Sequence, residues 1–484
     1  MITSRVNVDG VDVSPDHFIN GRRVASKHTF EDRSPLDWSW KLADVARGTT
    51  LEADLAVTAA LHAFPAWAGL GVKGRSSYLE RLADLIDQNI ERIAHVECLD
   101  MAMLEDSLRR RVIARGARNF RAYAQLAREY QARRWSSNGT DNVVLRHSAG
   151  PTVVITPWNA PFMLSTWKCA PALAAGNTVI LKPAEWSPLS CSMLMDLVEE
   201  AGFPPGVFNV VQGFGEEVGA ALVKDPRVRR ISFTGSPETG RVIGEAAAKN
   251  LVPFTAELGG KGPFMVFADA DLDAAVASSF TAFTANCGQI CSAGTRLLVQ
   301  RSIRDEVVAR LRDRLDGASV AAGIDDPEIG PLATREQLGV VEGYLQLARD
   351  EGALVVASTT PLPSNGGFFI RPALLLDVSN SMRVAQEEIF DPVLSVITFD
   401  DDEEAVSIAN DSPFGLAAGI WTRDLSRAHR VAARLEAGQV FVNQYFAGGV
   451  QTPFGGYKQS GYGRVKGVEA AFHYTHTKTI TIRL

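Results

Sequence analysis

Apolar and polar positions along the 484-residue chain change their pattern twice. The first 50 residues read as short strands and turns, and Phe18-Ile19-Asn20-Gly21-Arg22 is a hairpin signal. Asn-Gly supplies the two positive-φ residues that a tight hairpin turn requires. From Leu51 a helical period takes over. Leu79, Leu82, Leu85 and Ile86 form one apolar face, with Glu80, Arg81 and Asp87 off it. The pattern predicts several helices to about Arg134, and then a polar turn or linker at Ser136–Thr140.

From Thr152 the pattern changes again. Thr152–Ile155, Thr178–Leu181, Val207–Val211 and Val228–Phe233 are short apolar, β-branched runs. Helical stretches follow at Leu189–Ala201, Gly219–Val223 and Thr239–Ala248. Strands alternating with helices predict a parallel sheet covered on both faces, an α/β fold. A second series follows, with strands at Phe264–Phe267 and Arg296–Gln300 and helices at Leu272 to about Ala285 and Glu306–Leu315. Asp269 and Asp271 offer N-capping carboxylates before the first of these helices. Gly323–Pro331 reads as a loop. Thr475–Leu484 reads as a strand with no partner nearby, suited to another sheet or another subunit.

Composition narrows the function classes. The length suggests two or three domains at about 150 residues each. A hydrophobic fraction of 46% excludes a wholly disordered chain. The net charge of −7, with 49 basic against 56 acidic residues and no basic stripe, speaks against a nucleic-acid partner. No apolar leader segment and no apolar run near the ~20 residues of a membrane span appear, so no membrane association and a cytoplasmic location are expected. The five scattered cysteines, Cys98, Cys169, Cys191, Cys287 and Cys291, suit a reducing compartment rather than a disulfide scaffold. Without a second cysteine pair or an HExxH motif, no metal is expected.

Several short motifs fall where predicted strands end, the edge at which open α/β sheets bind ligands. Thr156-Pro157-Trp158-Asn159 follows the first run of the middle third, where an asparagine amide can serve a developing oxyanion or simply a turn. Lys182-Pro-Ala-Glu185 ends the next run, as a ribose-binding pair or a surface ion pair. Gly213-Phe-Gly215 resembles half of a dinucleotide fingerprint, with Val218 where the third glycine would stand, or is simply a strand-to-helix turn. Phe233-Thr-Gly-Ser236 precedes a helix whose N-terminus can hold a diphosphate, or is a tight turn. Glu257-Leu-Gly-Gly-Lys261 offers an accessible carboxylate or an ordinary loop glutamate, and Asn286-Cys-Gly-Gln-Ile-Cys291 offers a nucleophilic thiol in a glycine-containing turn or a buried, inert cysteine. Glu387-Glu-Ile-Phe-Asp-Pro-Val393 sets two carboxylates beside an aromatic ring, for a ribose or as a solvated acidic turn.

In this order and spacing, the motifs resemble the NAD(P)-dependent aldehyde dehydrogenase superfamily. Pro157-Trp-Asn159, Lys182-Pro-Ala-Glu185, Phe233-Thr-Gly-Ser236, Glu257-Leu-Gly-Gly-Lys261, Gly288-Gln-Ile-Cys291, Glu387-Glu-Ile-Phe390 and Pro453-Phe-Gly-Gly-Tyr-Lys458 carry the resemblance, which runs from Phe18 to Thr479. It implies a Rossmann-like cofactor domain with a five-stranded sheet (residues 1–127 and 148–256) and an α/β catalytic domain (257–459). A small β oligomerisation arm (128–147 and 460–484) completes the fold, with a homodimer or homotetramer as the assembly. The catalytic set it implies is Cys291 as nucleophile, Asn159 with the Cys291 backbone N–H as oxyanion donors, and Glu257 as the base that activates water.

For the cofactor the resemblance implies Ile155, Thr156, Pro157, Trp158, Lys182, Glu185, Gly215, Phe233, Gly235, Ser236, Leu258, Glu388 and Phe390. A carboxylate at Glu185 favours NAD over NADP, which stays the alternative. The small-molecule aldehyde is expected in a tunnel lined by Ala160, Met163, Leu164, Trp167, Ile290, Ser292, Tyr445, Phe446 and Phe454. That lining carries no lysine or arginine and suits an aromatic or medium-chain aldehyde. Trp158–Met163 and Ser381–Glu388 look most like the hydroxymuconic-semialdehyde branch, which serves aromatic catabolism. Arg121 is the candidate for a substrate carboxylate.

The chain departs from the pattern at Asp391, where the family has glycine and where an added charge is expected near the nicotinamide ribose. Cys287 is an extra thiol, open to a reversible disulfide with Cys291. A CoA-acylating enzyme, betaine or medium-chain aldehydes as substrates, and a non-catalytic binding protein are the alternatives. Retention of Glu257 argues against the first, and the intact Cys291, Glu257 and Asn159 set against the last.

Overall fold

The computed structural model describes residues 4–129 and 133–484. Five parallel strands form the centre of the first sheet, in the order Phe254–Glu257, Arg230–Thr234, Thr152–Ile155, Val179–Lys182 and Phe208–Val210. Antiparallel additions extend these five to eight. Gly461–Tyr462 lies outside Phe254–Glu257, and the His17–Ile19/Arg22–Val24 hairpin lies outside Phe208–Val210. Asn20 and Gly21 turn that hairpin with φ of 54° and 72°.

Alternate side chains of these strands enter opposite layers, as a two-residue period demands. Val153, Ile180 and Ile231 pack with Ala53 and Val57 of the Thr50–Gly69 helix. Val154, Val179 and Leu181 enter the other layer, with Leu79, Leu82 and Ile86 of the Gly71–Gln88 helix. Burial on both faces explains why the strands read as unbroken apolar runs.

The second sheet has seven strands, ordered Leu354–Ala357, Ala373–Leu376, Val393–Phe399, Arg296–Gln300, Pro263–Val266, Ala417–Trp421 and Gln439–Val442. Only Leu354–Ala357 runs antiparallel. Asp271 caps the Leu272–Thr284 helix, accepting from the Ala274 N–H at 3.2 Å.

The remaining piece is a three-stranded antiparallel sheet. Thr475–Arg483 pairs with Thr140–Ser148, which pairs with Arg133–Ser137. Of the two readings open for Ser136–Thr140, turn or linker, it is a turn, joining two strands of a hairpin with Asn138 and Gly139 at φ of 51° and 70°. The terminal strand adds to another sheet, pairing with a strand of its own chain more than 300 residues earlier in sequence. Within the 460–484 stretch assigned to the arm, Gly461–Tyr462 belongs to the first sheet instead. The helical reading to about Arg134 also stops short, because Arg133 already pairs as a strand. Among the described residues, no single helix is long and apolar enough to cross a membrane.

Candidate active site

The strand order of the first sheet reverses beside Thr152–Ile155. Later strands run out to one side through Val179–Lys182 and Phe208–Val210, then return to the other through Arg230–Thr234. Such a reversal opens a crevice at the carboxyl ends of the strands. Ile155 stands in register with Lys182 on one side and Phe233 on the other, so three candidate cofactor residues share one row at that edge.

Beyond Phe233, Ser236 caps the Pro237–Lys249 helix and its hydroxyl accepts from the Thr239 N–H at 3.2 Å. The helix therefore presents its open N–H groups and positive dipole end toward the crevice. Lys182 donates to Glu185 at 2.8 Å, with Lys182 buried and Glu185 part-exposed. Trp158 and Phe390 meet edge to face, their centroids 5.6 Å apart. Phe390 has a φ of 65°, a left-handed conformation uncommon for an aromatic residue. These features fit a dinucleotide: an anion site at a helix N-terminus, a carboxylate at the sheet edge and an aromatic wall. Thr156 turns its hydroxyl inward to Ser165 at 3.0 Å, so its side chain faces the core. Leu258 is nearly buried, and its N–H donates to the Ser460 carbonyl at 3.0 Å. Gly215 opens the turn that leads into the Ala220–Lys224 helix. A cleft of about 700 Å³ near it is lined by His28, Arg47, Thr49, Glu216, Glu217 and Lys224, none of which belongs to the Cys291 site.

The nucleophile candidate sits on a strained turn. Asn286 and Cys287 have φ of 51° and 53°, and Gly288 has φ of 73°. A side chain at Gly288 would collide with the Asp391 backbone, so glycine is required there. Gln289 pins this turn internally, donating to the Asn286 carbonyl at 3.0 Å and accepting from the Ala333 N–H at 2.9 Å. Asn159 pins it from the first sheet, donating to the Gln289 carbonyl at 2.7 Å while its own carbonyl accepts from the Asn286 amide at 2.9 Å. The Asn159 amide has a second N–H, which these contacts leave available.

The two glycines after Glu257 let three groups converge. A side chain at Gly259 would strike the Glu388 carboxylate, and one at Gly260 would strike the Cys291 carbonyl. In their absence Glu388 accepts the Gly260 N–H at 2.9 Å. Glu257 ends the strand Phe254–Glu257 with both carboxylate oxygens buried and without a hydrogen-bond partner. Burial pushes its pKa up to about 8, against the pull of Lys168, Arg464 and Lys466. Burial pushes the Cys291 thiol up to about 12, reinforced by Glu388 and Glu257; the N–H groups of Ser292 and Cys291 pull the other way. Glu388 is pushed up to about 7 by burial, against the Gly260 N–H and Lys261.

Around the thiol, Cys291 and Trp167 pack against Leu416, Phe454 and Val465. Trp167 and Phe454 meet edge to face at 5.8 Å. Tyr445 donates to the Ser292 carbonyl at 3.1 Å and touches Phe446 edge to face at 5.0 Å. Ala160 and Leu164 are buried, while Met163 and Ile290 are part-exposed.

Four expectations change. Asp391 is not a charge beside a ribose. It is fully buried, accepts from Gln337 at 2.6 Å, and burial holds its carboxyl pKa well above the ordinary range. Arg121 is committed to Asp84 at 2.6 Å and Asp87 at 2.5 Å on the surface. Cys287 packs in the core of the second sheet, whereas Cys291 packs in the Leu416–Phe454 cluster, and both thiols are free. Finally, the aromatic lining does carry a cation. Lys466 lies 5.0 Å from the Trp167 ring centroid and 5.3 Å from that of Phe454. Sequence reasoning missed it because it lies twelve residues beyond Phe454, on a return segment whose bridge between Phe454 and Val465 brings it back.

With this geometry in view, comparison with known proteins is decisive for the class. Residues 23–480 match the aldehyde dehydrogenase family, and the chain belongs to it, as an oxidoreductase with the fold of that family. It is 42% identical to a 2-hydroxymuconic semialdehyde dehydrogenase of Pseudomonas sp. strain CF600, over 97% of this chain and 99% of that one. An indole-3-acetaldehyde dehydrogenase of P. syringae, solved with NAD+ and IAA, superposes with a TM-score of 0.96 at 38% identity, covering 99% and 98% of the two chains. A betaine aldehyde dehydrogenase of Staphylococcus aureus, solved with NAD+, gives 0.95 at 35% identity, covering 97% and 95%.

Proposed function

We propose that the chain oxidises an aldehyde to a carboxylic acid with NAD, through a covalent thioester on Cys291. The observation that carries this reading is the convergence of a strained Cys291 turn, an Asn159 amide bonded into that turn and a Glu257 carboxylate buried without a partner. The residues at the first sheet's switch point fit NAD, which relatives bind in their solved structures.

Cys291 attacks the aldehyde carbon as a thiolate, and its proton must leave the buried site. The free Asn159 N–H and the Cys291 backbone N–H hold the oxyanion of the thiohemiacetal. Bound NAD supplies the hydride acceptor that turns the thiohemiacetal into a thioester. Glu257 then takes a proton from water, which attacks the thioester and releases the acid; its pKa near neutrality suits a group that must both take and return that proton. Glu185 and Lys182 are assigned to the adenosine ribose, Gly235 and Ser236 to the diphosphate, and Glu388 and Phe390 to the nicotinamide end. Glu185 favours NAD, because a 2′-phosphate there would meet a carboxylate.

The substrate class proposed is an aromatic aldehyde or a semialdehyde of aromatic catabolism, supported by the aromatic walls of Trp167, Tyr445, Phe446 and Phe454 and by the relatives named above. Residues 1–127 and 148–256 form the cofactor unit and 257–459 the catalytic unit. The arm is narrowed to 133–147 and Thr475–Arg483. Its outer strands expose Trp135, Ile480 and Ile482, a surface suited to a homodimer or homotetramer.

The test is NADH formation from benzaldehyde, a muconic semialdehyde, betaine aldehyde and a straight-chain aldehyde, each with and without CoA. Oxidation independent of CoA supports hydrolysis by Glu257. Strict dependence on CoA would replace it with acyl transfer, and no NADH from any aldehyde would end the proposal.

A further inference from the structure

Lys466 is 4% exposed, and its ammonium group has no hydrogen-bond or ion-pair partner among the described residues. It stands against the rings of Trp167 and Phe454, the same rings that pack around Cys291. An ammonium group largely withdrawn from water without a counter-charge is costly, and an aromatic face offsets only part of that cost. A second cation lies close by. Arg115 reaches the Gly448 carbonyl only at 3.4 and 3.5 Å, and its Nε is buried with no partner. Burial and Arg115 together lower the Lys466 pKa to about 8. The acid that pulls it the other way is Glu257, itself held protonated up to about 8 by burial.

A third donor belongs to the same aromatic wall. The Trp167 Nε1 is buried with no acceptor. An ammonium group and an indole N–H thus lie at this wall with a guanidinium near the ammonium, and none of the three has an ion-pair partner among the described residues.

We propose that Lys466 is the specificity residue of this site, pairing with an anionic group on the end of the aldehyde away from its carbonyl and turning away aldehydes that carry a fixed cation. The inference rests on the aldehyde-oxidising reading above and narrows its substrate class. A carboxylate is the simplest group of that kind, because it accepts from Lys466, Trp167 and Arg115 alike. A quaternary ammonium meets the opposite environment. The aromatic faces that would cage it already hold Lys466, and like charges in a low-dielectric pocket repel strongly.

The experiment uses three aldehydes of one shape: para-carboxybenzaldehyde, para-methylbenzaldehyde and para-trimethylammoniobenzaldehyde. The wild-type enzyme is expected to rank them in that order by kcat/KM. In Lys466→Met the ratio of carboxylate to methyl substrate should fall by on the order of tenfold or more, through KM rather than kcat, and Lys466→Arg should restore it. The same ratio in wild type and Lys466→Met, or a wild-type preference for the trimethylammonio compound, overturns the proposal. If none of the three is oxidised, the parent reading fails, and calorimetry then decides this one separately. Terephthalate should bind the wild-type protein more tightly than para-methylbenzoate, with the difference lost in Lys466→Met; equal binding of the two acids contradicts the proposal.

Discussion

The Asn159 side-chain amide donates to the Gln289 carbonyl at 2.7 Å, and so joins the first sheet to the turn that carries Cys291. In the proposed mechanism this one side chain has two tasks. It fixes the turn that carries Cys291 and leaves its second N–H for the oxyanion. Asn159→Ala should lower kcat by about 10²–10³, the scale of a lost oxyanion donor. Asn159→Asp should do no better, because a carboxylate has no N–H to give. Steady-state kinetics with a single good aldehyde check both, and near-wild-type turnover in either variant contradicts the assignment.

Glu257 should divide the reaction into two phases. Glu257→Gln keeps the size of the side chain and removes the base, so a rapid burst of NADH should precede a steady rate lower by about 10²-fold or more. In the wild-type enzyme the base works only when ionised. Its pKa is raised to about 8, so the hydrolytic step should quicken as pH rises through that value and level off above it. Stopped-flow absorbance across pH resolves the two steps. A hydrolytic rate flat from pH 6 to 9 contradicts a base with the raised pKa described here.

Glu185 sets the cofactor preference in this account. Its partner Lys182 is buried and paired with it at 2.8 Å, so the carboxylate is held in place at the sheet edge. Glu185→Gln should raise the kcat/KM for NADP relative to NAD by about tenfold, since a 2′-phosphate no longer meets a like charge. An unchanged ratio would assign discrimination to other residues.

Asp391 is a stability element. Gln337 donates to it and to the Ile389 carbonyl at 2.9 Å, joining the Arg335–Asp350 helix to the segment that carries Glu388. Its native pKa is raised above that of the unfolded chain, so its contribution is fullest at low pH and is lost as pH rises through the native value. Asp391→Asn should abolish that pH-dependent loss. Asp391→Ala should cost about 1–3 kcal/mol by leaving one of the Gln337 N–H groups unpaired. Thermal unfolding of the two variants at several pH values separates these effects.

Much of this arrangement is legible in the residue pattern. Runs such as Thr152–Ile155 and Arg296–Gln300 coincide with strands, because burial on both faces leaves a plain apolar signature. The motifs around Asn159, Glu257 and Cys291 are also visible, since each needs glycine, proline or a polar residue at a strand end or turn. What depends on long-range pairing is not. Asn138-Gly139 carries the same turn signal as Asn20-Gly21, yet polar neighbours disguise the strands beside it. The terminal strand finds its partner across more than 300 residues. Asp391 reads as an added charge near the nicotinamide ribose until its burial is known, and Arg121 reads as a partner for a substrate carboxylate until Asp84 and Asp87 are seen beside it. Lys466 lies outside every motif and joins the site only because the chain returns to Phe454.

The most direct test of the central claim is mass spectrometry of Glu257→Gln protein quenched during turnover with aldehyde and NAD. The account predicts an acyl group on the peptide containing Cys291, at that sulfur, which disappears in Cys291→Ala. An unmodified Cys291 under conditions that yield NADH, or acylation at Cys287 instead, would contradict it.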